Sequence, residues 1–192
     1  MERMSFTKLE QDLLLEIARA SIRNGLDHGE PLLPSLSAMP DSLKPKRACF
    51  VTLERHGDLR GCIGSLEARE PLALAVARQA HNAAFEDPRF EPLQKSEFDD
   101  LDLHISVLSP MTPIDGVASE ADLLKALRPG IDGLVLDDGR RYATFLPSVW
   151  EDLPDAKEFV AHLKAKGRWA PDEWPKGMKA MRYTSEMVGR DG

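Results

Sequence analysis

The chain has 192 residues, of which 42% are hydrophobic and 30% charged, and its formal net charge is −7. This composition is typical of a globular protein with a full hydrophobic core and excludes a disordered or fibrous chain. The negative net charge disfavours a nucleic-acid partner, because binding to nucleic acids relies on clustered lysines and arginines. No apolar stretch approaches the roughly 20 residues that span a bilayer, and residues 1–11 lack the apolar region of a signal peptide. We therefore expect a cytoplasmic protein with no membrane segment.

The first predicted element is a helix near the N-terminus. Thr7 and Glu10 form a T-x-x-E capping box, and apolar residues then recur at helical spacing from Leu9 onward. Asn24-Gly25 is the predicted stop, because glycine commonly ends a helix.

Strands dominate the next segment. Ala48 to Leu53 and Asp58 to Gly64 flank His56-Gly57, a pattern that predicts an antiparallel hairpin.

Later predicted elements are a helix from Pro71 to about Phe85, a half-buried strand from Leu101 to Leu108, a short helix from Ser119 to Leu127, a second hairpin from Gly133 to Leu146, a helix around Asp155 to Lys166 and a strand near Met181 to Met187. Hairpins without regular βαβ crossovers favour an α+β fold with antiparallel sheets flanked by helices.

The candidate site is the hexapeptide LRGCIG at residues 59–64. Because side chains alternate along a strand, Arg60 and Cys62 are expected on one face, where a guanidinium would favour the thiolate. Cys62 is therefore a candidate nucleophile, and Arg60 a candidate substrate-binding residue. Gly61 and Gly64 would let a ligand or another backbone segment approach closely. The alternative is that Cys62 is a small buried hydrophobe and that the glycines mark a bulge.

Three further residues join the candidate site. His104, on the polar face of its predicted strand with Ser106, could act as a base toward Cys62, although a strand histidine is more often structural. Asp87 and Arg89 follow a helix end, where they either bind an anionic substrate or form an ion pair that fixes a turn.

Aromatic residues near the C-terminus allow two readings. Trp150, Trp169 and Trp174 either stack on a ligand ring or close a core, and we expect core positions for two of the three.

Metal and cofactor motifs are missing from the sequence. It has no C-x-x-C, no C-x-x-x-C-x-x-C of a radical-SAM cluster, no H-E-x-x-H, no P-loop and no G-x-G-x-x-G after a strand. We therefore expect no metal site, and this polypeptide is not itself a radical enzyme. The two cysteines are expected to stay reduced.

Several motifs together resemble a known family. LRGCIG is followed by Asp87-Pro88-Arg89-Phe90, by PGIDG at residues 129–133 and by TFLPSVW at residues 144–150. In this order, and over most of the chain, they resemble the AMMECR family, and more narrowly the protein A type of AmmeMemoRadiSam systems. Members from eukaryotes tend to have histidine where this chain has Asp132, so no role of that imidazole is carried over.

The resemblance implies a single domain over residues 1–192 with two lobes. Both chain ends would form the larger lobe, the middle of the chain the smaller one, and the hexapeptide would face the cleft between them. It also implies two partners, a Memo-like protein and a radical-SAM protein.

Two functions follow as hypotheses. In one, the Cys62 site binds or modifies a small-molecule or nucleotide-like substrate. In the other, the chain is a non-catalytic accessory or scaffold protein that docks with the two partners.

Overall fold

The computed structural model describes residues 6–189. The α-helices are α1 (Lys8–His28), α2 (Leu72–Phe85), α3 (Glu120–Ala126) and α4 (Ala156–Lys166). The strands are β1 (Cys49–Arg55), β2 (Asp58–Gly64), β3 (Leu101–Leu108), β4 (Thr112–Pro113), β5 (Gly133–Asp137), β6 (Tyr142–Phe145), β7 (Lys179–Tyr183) and β8 (Ser185–Val188). Short 3-10 helices lie at Leu36–Ala38, Asp41–Leu43, Lys95–Asp100 and Pro147–Glu151.

The elements form two sheets, one in each of two compact units. One unit comprises residues 6–108 and 186–189, and the other comprises residues 109–185. The sheet of the first unit has the strand order β2-β1-β3-β8, and that of the second has the order β4-β7-β5-β6. In the first sheet β1 pairs antiparallel with β2 and β3, and in the second sheet β4, β7, β5 and β6 all pair antiparallel, which confirms the predicted α+β class with antiparallel sheets.

In the first unit, one face of the sheet is packed against helices. α1 packs on α2, and α2 packs on β1 and β2. Val51, Leu53 and Ile105 are fully buried in one core cluster with Leu14 of α1 and Val76 of α2. Since side chains alternate along a strand, the residues between them point to the opposite face of the sheet.

Helix α1 begins where the sequence predicts and ends later. Thr7 and Glu10 form the capping box, and the helix continues through Asn24-Gly25 to a left-handed cap at Gly29. The predicted stop at Gly25 is wrong because this glycine lies inside the helix, where it allows α2 to approach. A Cβ there would lie 2.3 Å from a ring carbon of Phe85. Leu9, which the helical pattern also placed in the apolar stripe, is 82% exposed.

The second unit has its own core around α4 and β5. Leu134, Leu136 and Phe159 are fully buried there, and the ring of Trp150 stacks on Phe159 with 3.8 Å between centroids. Trp169 is also buried and Trp174 is half-buried, so the expected core positions for two of three tryptophans are confirmed.

The C-terminal strand prediction is wrong in one respect. The sequence indicates a single strand near Met181 to Met187, but β7 and β8 are separate strands that join different sheets. Within residues 6–189, no helix combines the length and apolarity that a membrane crossing requires.

Candidate functional site

A bulge in the first hairpin determines which way Cys62 points. The turn at His56-Gly57 has positive φ at both residues, as a tight two-residue hairpin turn requires. Arg55 pairs with Asp58 and Glu54 with Leu59, but Leu53 pairs with Gly61, so Arg60 is an extra residue on β2. Such a bulge reverses the alternation of faces beyond it.

The reversed alternation takes Cys62 out of the core. Without the bulge, Cys62 would lie opposite Val51, which is fully buried against the helices. With the bulge it lies opposite Thr52, on the other face of the sheet. The prediction that Arg60 and Cys62 share a face by simple alternation is therefore wrong, because Arg60 is the bulged residue.

The Cys62 sulfur has a hydroxyl neighbour. Thr52 Oγ1 lies 3.2 Å from Cys62 Sγ, and Cys62 is half-buried. The chain's other cysteine, Cys49, is 1% exposed, and burial, followed by the charge of Glu70, raises the pKa of its thiol to about 12. Cys62 is thus the accessible thiol of this chain and Cys49 the inert one.

The backbone of Cys62 is held by Asp87 and Arg89. The amide N–H of Cys62 donates to Asp87 Oδ2 at 3.0 Å, and Arg89 Nη2 donates to the carbonyl oxygen of Cys62 at 3.3 Å. Arg89 also donates to both carboxylate oxygens of Asp87, at 3.0 and 2.8 Å. The predicted ion pair therefore exists, and it fixes the position of Cys62 as well as the turn.

The charge of Arg89 interacts with the thiol of Cys62 as well as with Asp87. The hydrogen bond from Arg89 holds the pKa of Asp87 well below its usual range, against the effect of burial. The hydrogen bond with Asp87 raises the pKa of Arg89, and burial lowers it. The negative charges of Asp87 and of Cys62 as thiolate also raise the pKa of Arg89. Arg89, whose side chain is 55% exposed, is therefore a cation within electrostatic range of the sulfur.

The two glycines of the motif let backbone segments approach each other. A Cβ on Gly61 would lie 2.1 Å from the carbonyl oxygen of Ala83 in α2, and one on Gly64 would lie 2.4 Å from the carbonyl oxygen of Cys49. We predicted that these glycines let either a ligand or another backbone segment approach closely. Close packing against another backbone segment accounts for both positions.

Arg60 is engaged by a carboxylate. Its Nε donates to Glu97 Oε2 at 2.8 Å, and its Nη2 donates to Glu97 Oε1 at 3.2 Å and to the carbonyl oxygen of Glu91 at 2.8 Å. The hydrogen bond from Arg60 lowers the pKa of Glu97. We predicted from the sequence that Arg60 favours the thiolate of Cys62. In the structure its guanidinium is instead paired with Glu97 in the 3-10 helix Lys95–Asp100.

His104 lies in the same row of the sheet as Cys62, one strand further away. Thr52 pairs with Cys62 on one side and with His104 on the other, so the three side chains share a face. Strands are about 4.8 Å apart, which puts His104 roughly 10 Å from Cys62 along the row. His104 and Ser106 are 7% and 8% exposed, so the predicted half-exposed face of β3 is wrong at these two residues.

Two residues of this region were missed by sequence reasoning. The pairing of Thr52 with Cys62 could be predicted from the position of the hairpin turn only if the bulge at Arg60 were known. Glu97 lies 37 residues from Arg60, and only its place after Gln94 in a helix-starting pattern distinguishes it.

The part of the chain that the structure describes contains no group of three or more His, Cys, Asp or Glu side chains placed to hold a metal ion. The geometry at Cys62 instead combines a half-buried thiol, a hydroxyl and a guanidinium.

The fold and site define an α+β protein in which a thiol on an outer strand is presented beside a hairpin bulge. The AMMECR1 family model matches residues 15–188, and the chain belongs to this family. The family resemblance predicted from the motifs is therefore confirmed.

Related proteins cover nearly the whole chain. A protein of Methanothermobacter thermautotrophicus is 36% identical over 194 residues, covering 98% of this chain and 100% of the relative. A protein of Methanocaldococcus jannaschii is 34% identical, covering 93% and 89% respectively. The crystal structure of an uncharacterized protein from Pyrococcus horikoshii is similar with a TM-score of 0.84 and 32% identity, covering 95% of this chain and 92% of that one.

Proposed function

We propose that this protein binds or modifies a small-molecule or nucleotide-like substrate at Cys62, as part of an AmmeMemoRadiSam-type system with Memo-like and radical-SAM partners. The observation that carries the proposal is the contact of 3.2 Å between Thr52 Oγ1 and the half-buried Cys62 sulfur. A hydroxyl that can donate a hydrogen bond and a nearby guanidinium both stabilise the negative charge that the sulfur carries when it reacts. Thr52 and Arg89 therefore take the role that we predicted for Arg60 from the sequence.

The covalent step open to such a thiol is addition to an electrophilic carbon. The thiol first loses its proton to water, and the sulfur lone pair then forms an S–C bond. The displaced π electrons move to the neighbouring heteroatom of the substrate, which takes a proton from water. Thr52 and Arg89 stabilise the thiolate in this step, and the fixed backbone of Cys62 keeps the sulfur in place.

The test is the rate at which iodoacetamide alkylates each cysteine, measured by peptide mass spectrometry on the folded chain. Cys49 is an internal control because it is buried in the same molecule. We expect Cys62 to be alkylated while Cys49 stays unmodified. Arg89→Gln should slow the reaction of Cys62 by about tenfold, because the cation near the sulfur is lost, whereas Arg89→Lys, which keeps the charge, should slow it less.

A second measurement addresses the substrate. The chain is incubated with the small-molecule fraction of a cell extract, and intact mass then reveals an adduct, or residual alkylation reveals protection of Cys62. Cys62→Ser is the control and should show no adduct. Alkylation of Cys62 as slow as that of Cys49 would make the thiol structural and overturn the proposal.

The alternative is an accessory protein that docks with the Memo-like and radical-SAM partners without covalent chemistry. It is favoured by the engagement of Arg60 with Glu97 and by the strand that separates His104 from Cys62. Co-purification of the partners with a Cys62→Ser chain, at the wild-type level and with system activity retained, would support it. Retained binding with lost activity would instead support the thiol chemistry.

A further inference from the structure

A second group of charged side chains lies in the second unit, around Asp132. The Asp132 carboxylate is fully buried and accepts hydrogen bonds from the backbone N–H of Arg128 at 2.9 Å, from its Nε at 3.0 Å and from its Nη2 at 2.6 Å. Arg182 Nη1, on β7, donates to the same carboxylate at 3.4 Å. The loop after α3 and strand β7 thus place two guanidinium groups on one carboxylate. None of these residues belongs to the site proposed above.

The charges of this group do not cancel. Within residues 6–189, Asp132 is the only carboxylate at ion-pair distance from either guanidinium group. One negative charge therefore faces two positive charges, which leaves an excess of one positive charge. The Arg182 side chain is only 23% exposed, so water and salt screen its charge less than that of a fully exposed arginine. A bound monoanion would balance the group.

One edge of the Arg182 guanidinium offers two N–H donors to a ligand. Nη1 donates to Asp132, but Nε and Nη2 have no acceptor among the residues that the structure describes. Neither atom is among the four buried side-chain polar atoms of the described chain that lack a partner, so both reach the solvent. Because Asp132 holds the guanidinium in place, little side-chain freedom is lost when an anion binds there.

The same edge of arginine binds carboxylates elsewhere in this chain. The Nε–H and Nη2–H groups of a guanidinium are parallel, so they match the two oxygens of a carboxylate. Three other arginines direct these two groups at a carboxylate, namely Arg60 at Glu97, Arg89 at Asp87 and Arg128 at Asp132. A carboxylate also carries the single negative charge that balances the group. A phosphate monoester, with a charge of about −1.5 to −2, exceeds it.

We infer that the second unit binds a small monocarboxylate at Arg182. The ligand carboxylate accepts hydrogen bonds from Nε and Nη2 of Arg182, and the Arg128 guanidinium on the same aspartate adds electrostatic attraction. Charge-assisted hydrogen bonds of this kind are the strong ones in proteins. Asp132 is a positioning residue, because it is fully buried and holds both guanidinium groups. The inference goes beyond the proposed function, since the site needs no thiol.

The experiment is an NMR titration of the 15N-labelled full chain with sodium acetate, which replaces sodium chloride at constant ionic strength. We expect a saturable shift of the Arg182 side-chain Nε–H signal. Acetamide, the neutral analogue of the same shape, should bind at least about tenfold more weakly, because it lacks the charge and one of the two acceptor oxygens. Equal binding of acetate and acetamide would overturn the inference, and this comparison depends on no variant.

Variants separate the site from general anion binding. Arg182→Lys keeps the charge but loses the two parallel donors, so acetate binding, followed at the backbone N–H of Asp132, should weaken by about tenfold. Arg182→Gln should weaken it further, because the charge is lost as well. Arg140→Gln, at an exposed arginine of the same unit, should leave it unchanged.

Cys62→Ser should bind acetate like the wild type, which separates this inference from the proposed thiol chemistry. The dispersion of the backbone N–H signals shows whether each variant is folded. Wild-type acetate affinity in folded Arg182→Lys and Arg182→Gln chains would overturn the inference.

Discussion

Thr52 and Cys62 face each other across the first hairpin, with the hydroxyl oxygen 3.2 Å from the sulfur. This contact depends on the bulge at Arg60, because a regular hairpin would pair Cys62 with a core valine. The bulge therefore brings the thiol into contact with the hydroxyl on the neighbouring strand.

Replacing this hydroxyl should slow the thiol. In Thr52→Val the shape of the side chain is retained but the donor to the thiolate is lost, so alkylation of Cys62 at neutral pH should fall by roughly three- to tenfold. Thr52→Ser keeps the hydroxyl and is the matched control, with a rate near that of the wild type. Equal rates in the valine and serine variants would show that the hydroxyl has no part in thiol reactivity.

The Asp87 carboxylate should make the chain sensitive to acid. Its pKa is lowered in the folded state, chiefly by the hydrogen bond from Arg89, so its contribution to stability is complete above the unfolded value of 3.8. That contribution is lost as the pH falls below 3.8 toward the folded pKa. Asp87→Asn should therefore lower the free energy of unfolding by about 1–3 kcal/mol at pH 7 and by less at pH 3.

Urea unfolding at both pH values measures this difference. The exposed Asp99 is the control, and Asp99→Asn should change the unfolding free energy little at either pH. A deficit of Asp87→Asn that is as large at pH 3 as at pH 7 would contradict the assignment, since at pH 3 the unfolded wild-type chain is stabilised by a proton on Asp87 that the folded chain does not bind.

Gly61 should tolerate no side chain. A Cβ would lie 2.1 Å from the Ala83 carbonyl oxygen, and because this oxygen belongs to a helix backbone, β2 or α2 must shift. We expect Gly61→Ala to cost about 3 kcal/mol or more in thermal unfolding. Gly57 is the contrasting case, with φ +84 and open space around it, so Gly57→Asn should be nearly neutral, as asparagine tolerates this conformation. A small loss in Gly61→Ala would mean that the hairpin and α2 are loosely packed.

His81 should destabilise the first unit in mild acid. Burial lowers the pKa of His81, an effect that Glu86 opposes, and its Nδ1 has no hydrogen-bond partner. Because the unfolded chain then binds the proton more readily than the folded one, stability decreases as the pH falls below about 6.5. The urea midpoint of the wild type should drop between pH 7.5 and 5.5, and His81→Gln should reduce that drop. His162→Gln, at an exposed histidine, should leave it intact.

The sequence predicted the local elements well because their causes are local. The capping box at Thr7, the turn at His56-Gly57 and the apolar stripe of α2 each depend on residues close together in the chain. The helix stop at Gly25 failed for the opposite reason. That glycine is required by Phe85, which is 60 positions away and packs against it only in the folded chain.

The sequence placed Cys62 on a strand of the first hairpin, but it did not show which residues surround the sulfur. Cys62 was singled out from its motif, yet its orientation depends on a bulge at Arg60, which the glycines of the motif indicated only as one alternative and without its position. Its contacts with Asp87 and Arg89 span about 25 residues and follow from how the segment after α2 returns to the edge of the sheet. Such contacts are a property of tertiary packing, which a single sequence does not specify.

The position of β2 at the edge of its sheet gives the Asp87–Arg89 pair one more consequence. An uncovered edge strand presents free N–H and C=O groups on which another chain can add a strand, which is a common route to aggregation. At Cys62 both groups are already bonded to a carboxylate and a guanidinium, so the motif is closed to edge-to-edge pairing at its centre. The chain can thus expose its thiol without also exposing a template for self-association.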